Sequence, residues 1–483
     1  MNRLEKANAY IEKHKGEVTA RPGYHFSAEV GWLNDPNGFS FYQGEYHLFY
    51  QYNPYDIVWD SMHWGHATTK DFLTWDYHPV ALANDRWYDA NGCFSGSAIE
   101  KDGKLYLMYT GHVDPNLGFD RIESEIFERQ CIAVSEDGVH FTKSPQNPVI
   151  GEKELPEGYR ICDFRDPKVF ERNGRYYCVV AVRNEARRGE IVMFVSSDLL
   201  SWTFHSSILQ ANHDDNIMLE CPDFFTIDGK DVLLFSVMPC DPEFQDEIEN
   251  YTAYAIGSLD FEKGVFEVES TGKLDFGKTF YAPQSTEGAN GERLLIGWMH
   301  RWQAATPPKE YGFNGMMSLP RALSVENGVL VQKPAIDVSG SFPSQVDVTD
   351  LSILPEKPFA VSTTNKGKLT LTVLPESAKE FTVHVHQSEE KSSACRIDLK
   401  NEVITLSSDY GDEQPIAVGY NGNRDEPLVL EWFIDLHSIE LFVNGGKMVI
   451  SSTAYNQDKG NQISITANEE VILHHVTYGD YTK

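Results

Sequence analysis

The sequence has no apolar run approaching the roughly 20 residues a membrane helix needs, which excludes a protein that spans a bilayer with helices. It has no Gly-rich phosphate loop and no G-x-S-x-G elbow, which removes two common routes to nucleotide and acyl chemistry. Positive charge is scarce: 41 Lys and Arg stand against 72 Asp and Glu, a net charge of −31. Such a surface repels nucleic acid and anionic membranes, so neither is expected as a partner and a neutral small molecule is. Cysteine is sparse and odd in number (Cys93, Cys131, Cys162, Cys178, Cys221, Cys240 and Cys395), with no C-x-x-C pair. That pattern fits neither a disulfide framework nor a zinc site, and is expected of reduced thiols in a cytoplasm. His63 and His66 in "MHWGH" lack a third ligand, so no metal and no cofactor is expected. The opening stretch "MNRLEKANAYIEKHKGEV" carries charge throughout and lacks an apolar centre. It reads as a short amphipathic helix, a helical extension over residues 1–20, and not as a signal peptide.

What the chain does have is repetition. Five segments share a Gly-centred turn followed by apolar or alternating residues: "YQGEYHLFYQY", "KDGKLYLMYTG", "ERNGRYYCVVAV", "TIDGKDVLLFSV" and "GANGERLLIGWM". Their glycines, Gly44, Gly103, Gly174, Gly229 and Gly291, recur about every sixty residues, and each reads as a hairpin feeding a buried strand. A second motif trails each hairpin, an apolar strand leading to Ser, Asp and an aromatic, with acids at Asp71, Asp137, Asp198 and Asp260 and a worn copy in "ALSVENGVL". Single S-x-D turns are common in β-rich chains; two motifs holding one order and period are not. The pattern predicts an all-β protein: a five-bladed β-propeller over residues 21–337, then a C-terminal β-sandwich over 338–483, where strands alternate simply and turns such as Asn444-Gly445-Gly446 join them. The sandwich carries no catalytic constellation and is expected to buttress the propeller.

Polar residues occupy near-equivalent places upstream of each hairpin: Asp35 in "WLNDPNG", Ser95 in "CFSGSA", Asp166 in "FRDPKV", Glu220 in "LECPDFF" and Tyr281 in "FYAPQST". Taken singly, N-D-P-N-G and R-D-P are turn chemistry, and a turn is expected to close the strand directly after Asp35. Taken in register, the innermost strands of a propeller would bring Asp35, Asp166 and Glu220 onto one central funnel. Two carboxyl groups flanking a bond are the minimum for glycoside hydrolysis, and a third could hold hydroxyls and steady positive charge at the anomeric carbon. Ligation of a hard cation is the alternative use of such acids. Trp32, Trp59, Trp64, Phe94 and Trp298 lie near these segments and suit either blade packing or the apolar faces of a sugar.

These motifs, "WLNDPNG", "QYNP", "MHWGHATTKD", "GCFSGSA", "FRDPKV", "ECPDFF", "FYAPQ", "IGWM" and "SLPRAL", occur in the order found in glycoside hydrolase family 32, which the chain resembles from about residue 24 to 325. The resemblance implies retaining hydrolysis of β-fructofuranosides, with Asp35 as nucleophile, Glu220 as acid and base, and Asp166 as transition-state stabiliser. It further implies that Asn34, Gln51, Phe94, Ser95 and Arg165 line a fructose subsite, with Tyr281 alongside and Trp59 and Trp298 at its rim. Where bacterial relatives usually read D-Y-G-x-D-F-Y-A, this chain reads "DFGKTFYA". Lys278 there, with His300, Arg301 and Lys309, is a candidate contact for a leaving group or its 6-phosphate. A fructosyltransferase on the same scaffold and a non-catalytic carbohydrate-binding propeller are the rival readings.

Overall fold

The computed structural model describes residues 1–482 except 117–121, 212–216, 241–248, 303, 376–378, 411–413, 421–425 and 456–459. It is β throughout apart from helix Arg3–His14, the one-turn helix Val338–Ser341 and short 3-10 turns. Asn2 and Glu5 cap the first helix reciprocally, at 2.8 and 3.0 Å, and Ala7 and Ile11 bury its apolar face against the first sheet.

Residues 31–334 form five antiparallel sheets of four consecutive strands each, and the two-residue strand Phe313–Asn314 runs from the fifth sheet back to pair in parallel with Gly31–Trp32 of the first. The five repeated glycines sit in the hairpins that join the first and second strand of each sheet. In the first four, Gln43-Gly44, Asp102-Gly103, Asn173-Gly174 and Asp228-Gly229 both have positive φ, as the tight turn that matches strand twist demands. The trailing aspartates turn the chain between the third and fourth strands. Asp71, Asp137, Asp198 and Asp260 each accept two backbone N–H groups two and three residues ahead, at 2.7–3.0 Å.

The opening strands, Gly31–Tyr42, Gly92–Lys101, Tyr159–Arg172, Ile217–Ile227 and Tyr281–Glu287, pack each against the next and the fifth against the first, closing a ring. Each leaves one edge outside its own sheet, whose buried N–H and C=O groups need partners. Side chains from neighbouring sheets supply them. Gln284 Oε1 accepts Phe39 N–H at 2.8 Å, while its Nε2 donates to Gly96 O at 2.8 Å. Ser97 bridges Pro167 O and Val169 N–H, and the Lys168 ammonium donates to Asp223 and to Ser285 O.

All five opening strands carry a bulge at the same place, so that register with the second strand slips after Leu33, Phe94, Arg165, Glu220 and Tyr281. The strand therefore does not end at Asp35 as the turn chemistry suggests; it runs unbroken through Pro36 to Tyr42. Pro36, Pro167, Pro222 and Pro283 fit because a bulge on an unpaired edge requires no amide hydrogen there. Sheet two uses Gly96 instead, where an added Cβ would lie 2.0 Å from Met108 O.

Two further six-stranded sheets fill residues 346–480 and share one apolar core, to which Leu371, Leu430 and Trp432 come from one sheet and Val383, Ile397 and Ile465 from the other. They meet the five-sheet ring across a fully buried charge network. Arg321 donates to Glu440 at 2.7 Å, Asp275 at 3.0 Å, Gln332 at 2.8 Å and Ser451 at 2.9 Å. His25 lies 2.9 Å from Asp435 and 3.0 Å from Glu440. Burial opposes a charged imidazole, but the two carboxylates outweigh it and raise His25 to about 9, while Asp435 is held well below the usual carboxylate range. A raised folded-state pKa gives stability that is fully present below about 6.5 and lost as the pH rises through about 9. The melting temperature is accordingly expected to fall between pH 7 and pH 9.5, and His25→Gln to flatten that slope; thermal melts across this range check it.

Candidate active site

The bulges sort the inner residues into two rings. Asp35, Ser95, Asp166, Cys221 and Ala282 stand in the position immediately before Pro or Gly, and Asn34, Phe94, Arg165, Glu220 and Tyr281 stand one residue earlier. Glu220 is thus one step out of register with Asp35 and Asp166. Asp166, Cys221 and Ala282 take positive φ of 64°, 49° and 48°, a conformation costing a non-glycine residue about 1–2 kcal/mol.

A cavity of about 630 Å³ opens over these rings, lined by Asn34, Asp35, Gln51, Phe94, Ser95, Arg165, Asp166 and Glu220 and, further out, by Trp59, Asp60, Ser61, Asn91, His112, Asp114, Glu128, Met238 and Trp302. Ser95 Oγ donates to Asp35 Oδ2 at 2.5 Å, and Asn34 Nδ2 to Asp35 Oδ1 at 3.1 Å. Trp32 Nε1 holds Asn34 Oδ1 at 2.9 Å. Burial raises the Asp35 carboxyl; the Ser95 hydrogen bond pulls it back, Glu220 pushes it up again, and the balance lies at about 6. Asp166 is raised too, by burial first, against the pull of Arg165 and with the push of Glu220 and Asp35.

The backbone around Asp166 is racked by sheet two. Thr110 Oγ1 accepts Asp166 N–H at 3.0 Å, Gln130 donates to Phe164 O at 2.8 Å, and Glu128 accepts Phe164 N–H at 2.8 Å. Arg165 is buried and donates to Glu220 Oε1 from Nη2 at 2.5 Å and Nε at 3.0 Å. Tyr281 OH donates to Glu220 Oε2 at 2.7 Å. Between the acids lies Cys221, its N–H donating to Asp166 Oδ2 at 3.0 Å and its thiol 3.6 and 3.5 Å from Asp35 and Asp166. Burial and the surrounding carboxylates push that thiol up, so it stays protonated.

Asp35, Asp166, Glu220, Asn34, Gln51, Phe94, Ser95, Arg165 and Trp59 all meet at the one cavity, Trp59 at its mouth with 41% of its surface exposed. Tyr281 reaches it only through Glu220. Trp298 is wholly buried and packs on Trp32, His300 and Trp302, and it is Trp302 that lines the cavity. Lys278, His300, Arg301 and Lys309 lie outside the lining. The "DFGKTFYA" stretch docks on the C-terminal sheets, Phe276 N–H donating to Val449 O and Lys278 Nζ to Gln414 O, because Asp275 is drawn in by Arg321. The His300 ring is closed off by the carbonyls of Arg301 and Ala305. His63 and His66, three apart on one strand, point to opposite faces and bond Ser61 O and His47 respectively. The sequence marks out none of Glu128, His112, Thr110, Cys221 and Trp302 for the site, although Thr110 and Cys221 lie inside quoted motifs. Cys221 alone had a readable cue, since it precedes Pro in the same register as Asp35 and Asp166.

Three carboxyl groups converge at the floor of an aromatic-mouthed cavity, more than the pair that glycoside hydrolysis needs. Residues 25–334 match the model for the N-terminal domain of glycosyl hydrolases family 32, and residues 340–479 match the model for its C-terminal domain. The chain belongs to glycosyl hydrolases family 32. It is 33% identical to a sucrose-6-phosphate hydrolase of Escherichia coli, the alignment covering 98% of each chain, and 33% identical to a raffinose invertase of Escherichia coli, covering 96% of each. Its structure superposes on that of the beta-fructofuranosidase of Bombyx mori with a TM-score of 0.85 at 29% identity, over 99% of this chain and 98% of that one.

Proposed function

We propose that the protein hydrolyses terminal β-D-fructofuranosides, sucrose and sucrose 6-phosphate among them, with retention at the anomeric carbon. The observation that carries this reading is the meeting of Asp35, Asp166 and Glu220, from three different strands, on one cavity. Asp35 attacks C2 of the fructosyl unit as the C2–O bond breaks, and Glu220 gives its proton to the departing oxygen. Glu220, now a carboxylate, takes a proton from water, which attacks C2, frees fructose and restores Asp35. Asp166 holds fructose hydroxyls and offsets the positive charge at C2, with Asn34, Gln51, Phe94, Ser95 and Arg165 forming the sugar pocket. Tyr281 orients Glu220, and Trp59 and Trp302 face the leaving group.

In the same reading the five sheets are the blades of a β-propeller, residues 21–337 being the catalytic domain, 338–483 a β-sandwich that braces it, and 1–20 a helical extension. Seven free thiols support a reducing compartment, the cytoplasm.

Glucose release from sucrose tests the assignment. Asp35→Asn is expected to lose activity by a factor on the order of 10³ or more; an unchanged rate would overturn it. Because Asp35 must be ionised, kcat/KM is expected to fall as the pH drops through about 6. Ser95→Ala removes a hydrogen bond that favours the carboxylate, so it should move that limb to higher pH in a pH–rate profile. The leaving group can also be graded. The described lining sets Asp35, Asp60 and Glu128 against Arg165, which disfavours a phosphate dianion. Comparison of kcat/KM is expected to favour sucrose over sucrose 6-phosphate by about tenfold or more.

A further inference from the structure

Glu220 stands between two opposed demands. To protonate a leaving oxygen it must hold a proton, yet Arg165 donates two hydrogen bonds to its Oε1, which favours the bare carboxylate. The remaining guanidinium nitrogen, Nη1, turns to Glu128 Oε2 at 3.3 Å. Glu128 is buried on strand Phe127–Ser135 of sheet two and spans the gap to sheet three, where Phe164 N–H donates to the same oxygen at 2.8 Å. Its Oε1 lies 3.3 Å from His112 Nδ1, and the His112 ring stacks flat on Phe94 at 4.0 Å and 10°. The nearby Asp163 is engaged by Arg160 at 3.0 Å and Arg183 at 2.8 Å. Among the described residues, the groups facing Glu128 are Arg165, His112 and Asp163, and those facing Glu220 are Arg165, Tyr281, Cys221, Cys240, Asp166 and Asp35.

We propose that Glu128 is a positioning residue that keeps Glu220 able to act as an acid, by sharing the Arg165 guanidinium and drawing its charge away from the catalytic carboxyl. The proposal rests on the reading of Glu220 as the acid given above. One cation between two carboxylates holds each less firmly than it would hold one alone, so Arg165 fixes the orientation of Glu220 without stripping it of its proton. The Phe164 amide and the His112–Phe94 stack keep Glu128 from swinging away.

Glu128→Gln keeps the shape and the acceptor for Phe164 N–H but removes the charge. The alkaline limb of kcat for sucrose is expected to move down by about one pH unit. At pH 7 kcat falls several-fold and recovers as the pH is lowered, while KM changes less than twofold and the acid limb stays in place. Glu128→Asp, which keeps the charge, restores the alkaline limb and serves as the folding control. A uniform loss of kcat with both limbs unmoved would reduce Glu128 to packing and overturn the proposal. A rise in KM with both limbs unmoved would make it a substrate contact and overturn it equally. Glu220→Gln separates the premise: wild-type activity in that variant would remove the acid assignment itself, whatever Glu128 does.

Discussion

Five strands that face a common axis each carry an edge outside their own sheet, and those edges must be satisfied without water. A buried N–H or C=O left without a partner costs about 1–3 kcal/mol, and five strands present many. The chain meets the demand with side chains sent across sheet boundaries: Gln284 to sheets one and two, Ser97 and Thr110 to sheet three, Lys168 to sheets four and five. The ring is thereby a hydrogen-bonded unit at its centre as well as an apolar one between its sheets. Each contact also fixes one strand's height against its neighbour's, which an apolar layer alone would leave free to slip.

The bulges make use of that rigidity. An extra residue on an edge re-aims side chains, and here it does so at one level in all five strands, so that carboxylates from strands far apart in sequence face the same space. The strain at Asp166, Cys221 and Ala282 is carried by the frame around them, as the Thr110 contact to the Asp166 amide illustrates. Burial of this carboxylate group raises Asp35 and Asp166 together, so the apparatus that positions the acids also sets the pH range over which they carry charge.

The period of about sixty, the hairpins and the Asx turns were legible because each is local: a Gly at positive φ or an Asp bonding its own backbone leaves a mark within three residues. Asp35, Asp166 and Glu220 were legible because each falls within one residue of the same place in that local frame. The bulge was not, since N-D-P-N-G is compatible with both a terminating turn and a Pro on an unpaired edge, and only the neighbouring sheets decide. Glu128, His112 and Thr110 act across sheet boundaries with no fixed spacing to their targets, so no window of sequence contains the interaction. Trp302 lines the cavity where Trp298 is expected, because Trp298 is sealed beneath Trp32. Lys278 is directed by Asp275, whose partner Arg321 also holds Glu440 of the C-terminal sheets.

That network ties the first residues of the ring to nearly the last strands of the chain. His25 is paired with Asp435, 410 positions later, and Asp435 also receives the N–H groups of Gly23, Tyr24 and His25. Tyr481, third from the end of the chain, packs at this junction against Tyr24 and Phe342. A chain still emerging from the ribosome therefore holds an entry segment to the ring in which His25 has neither of its carboxylate partners until residues 435–440 arrive. The order of synthesis and the order of completion differ: the part of the molecule made first is among the last to be finished.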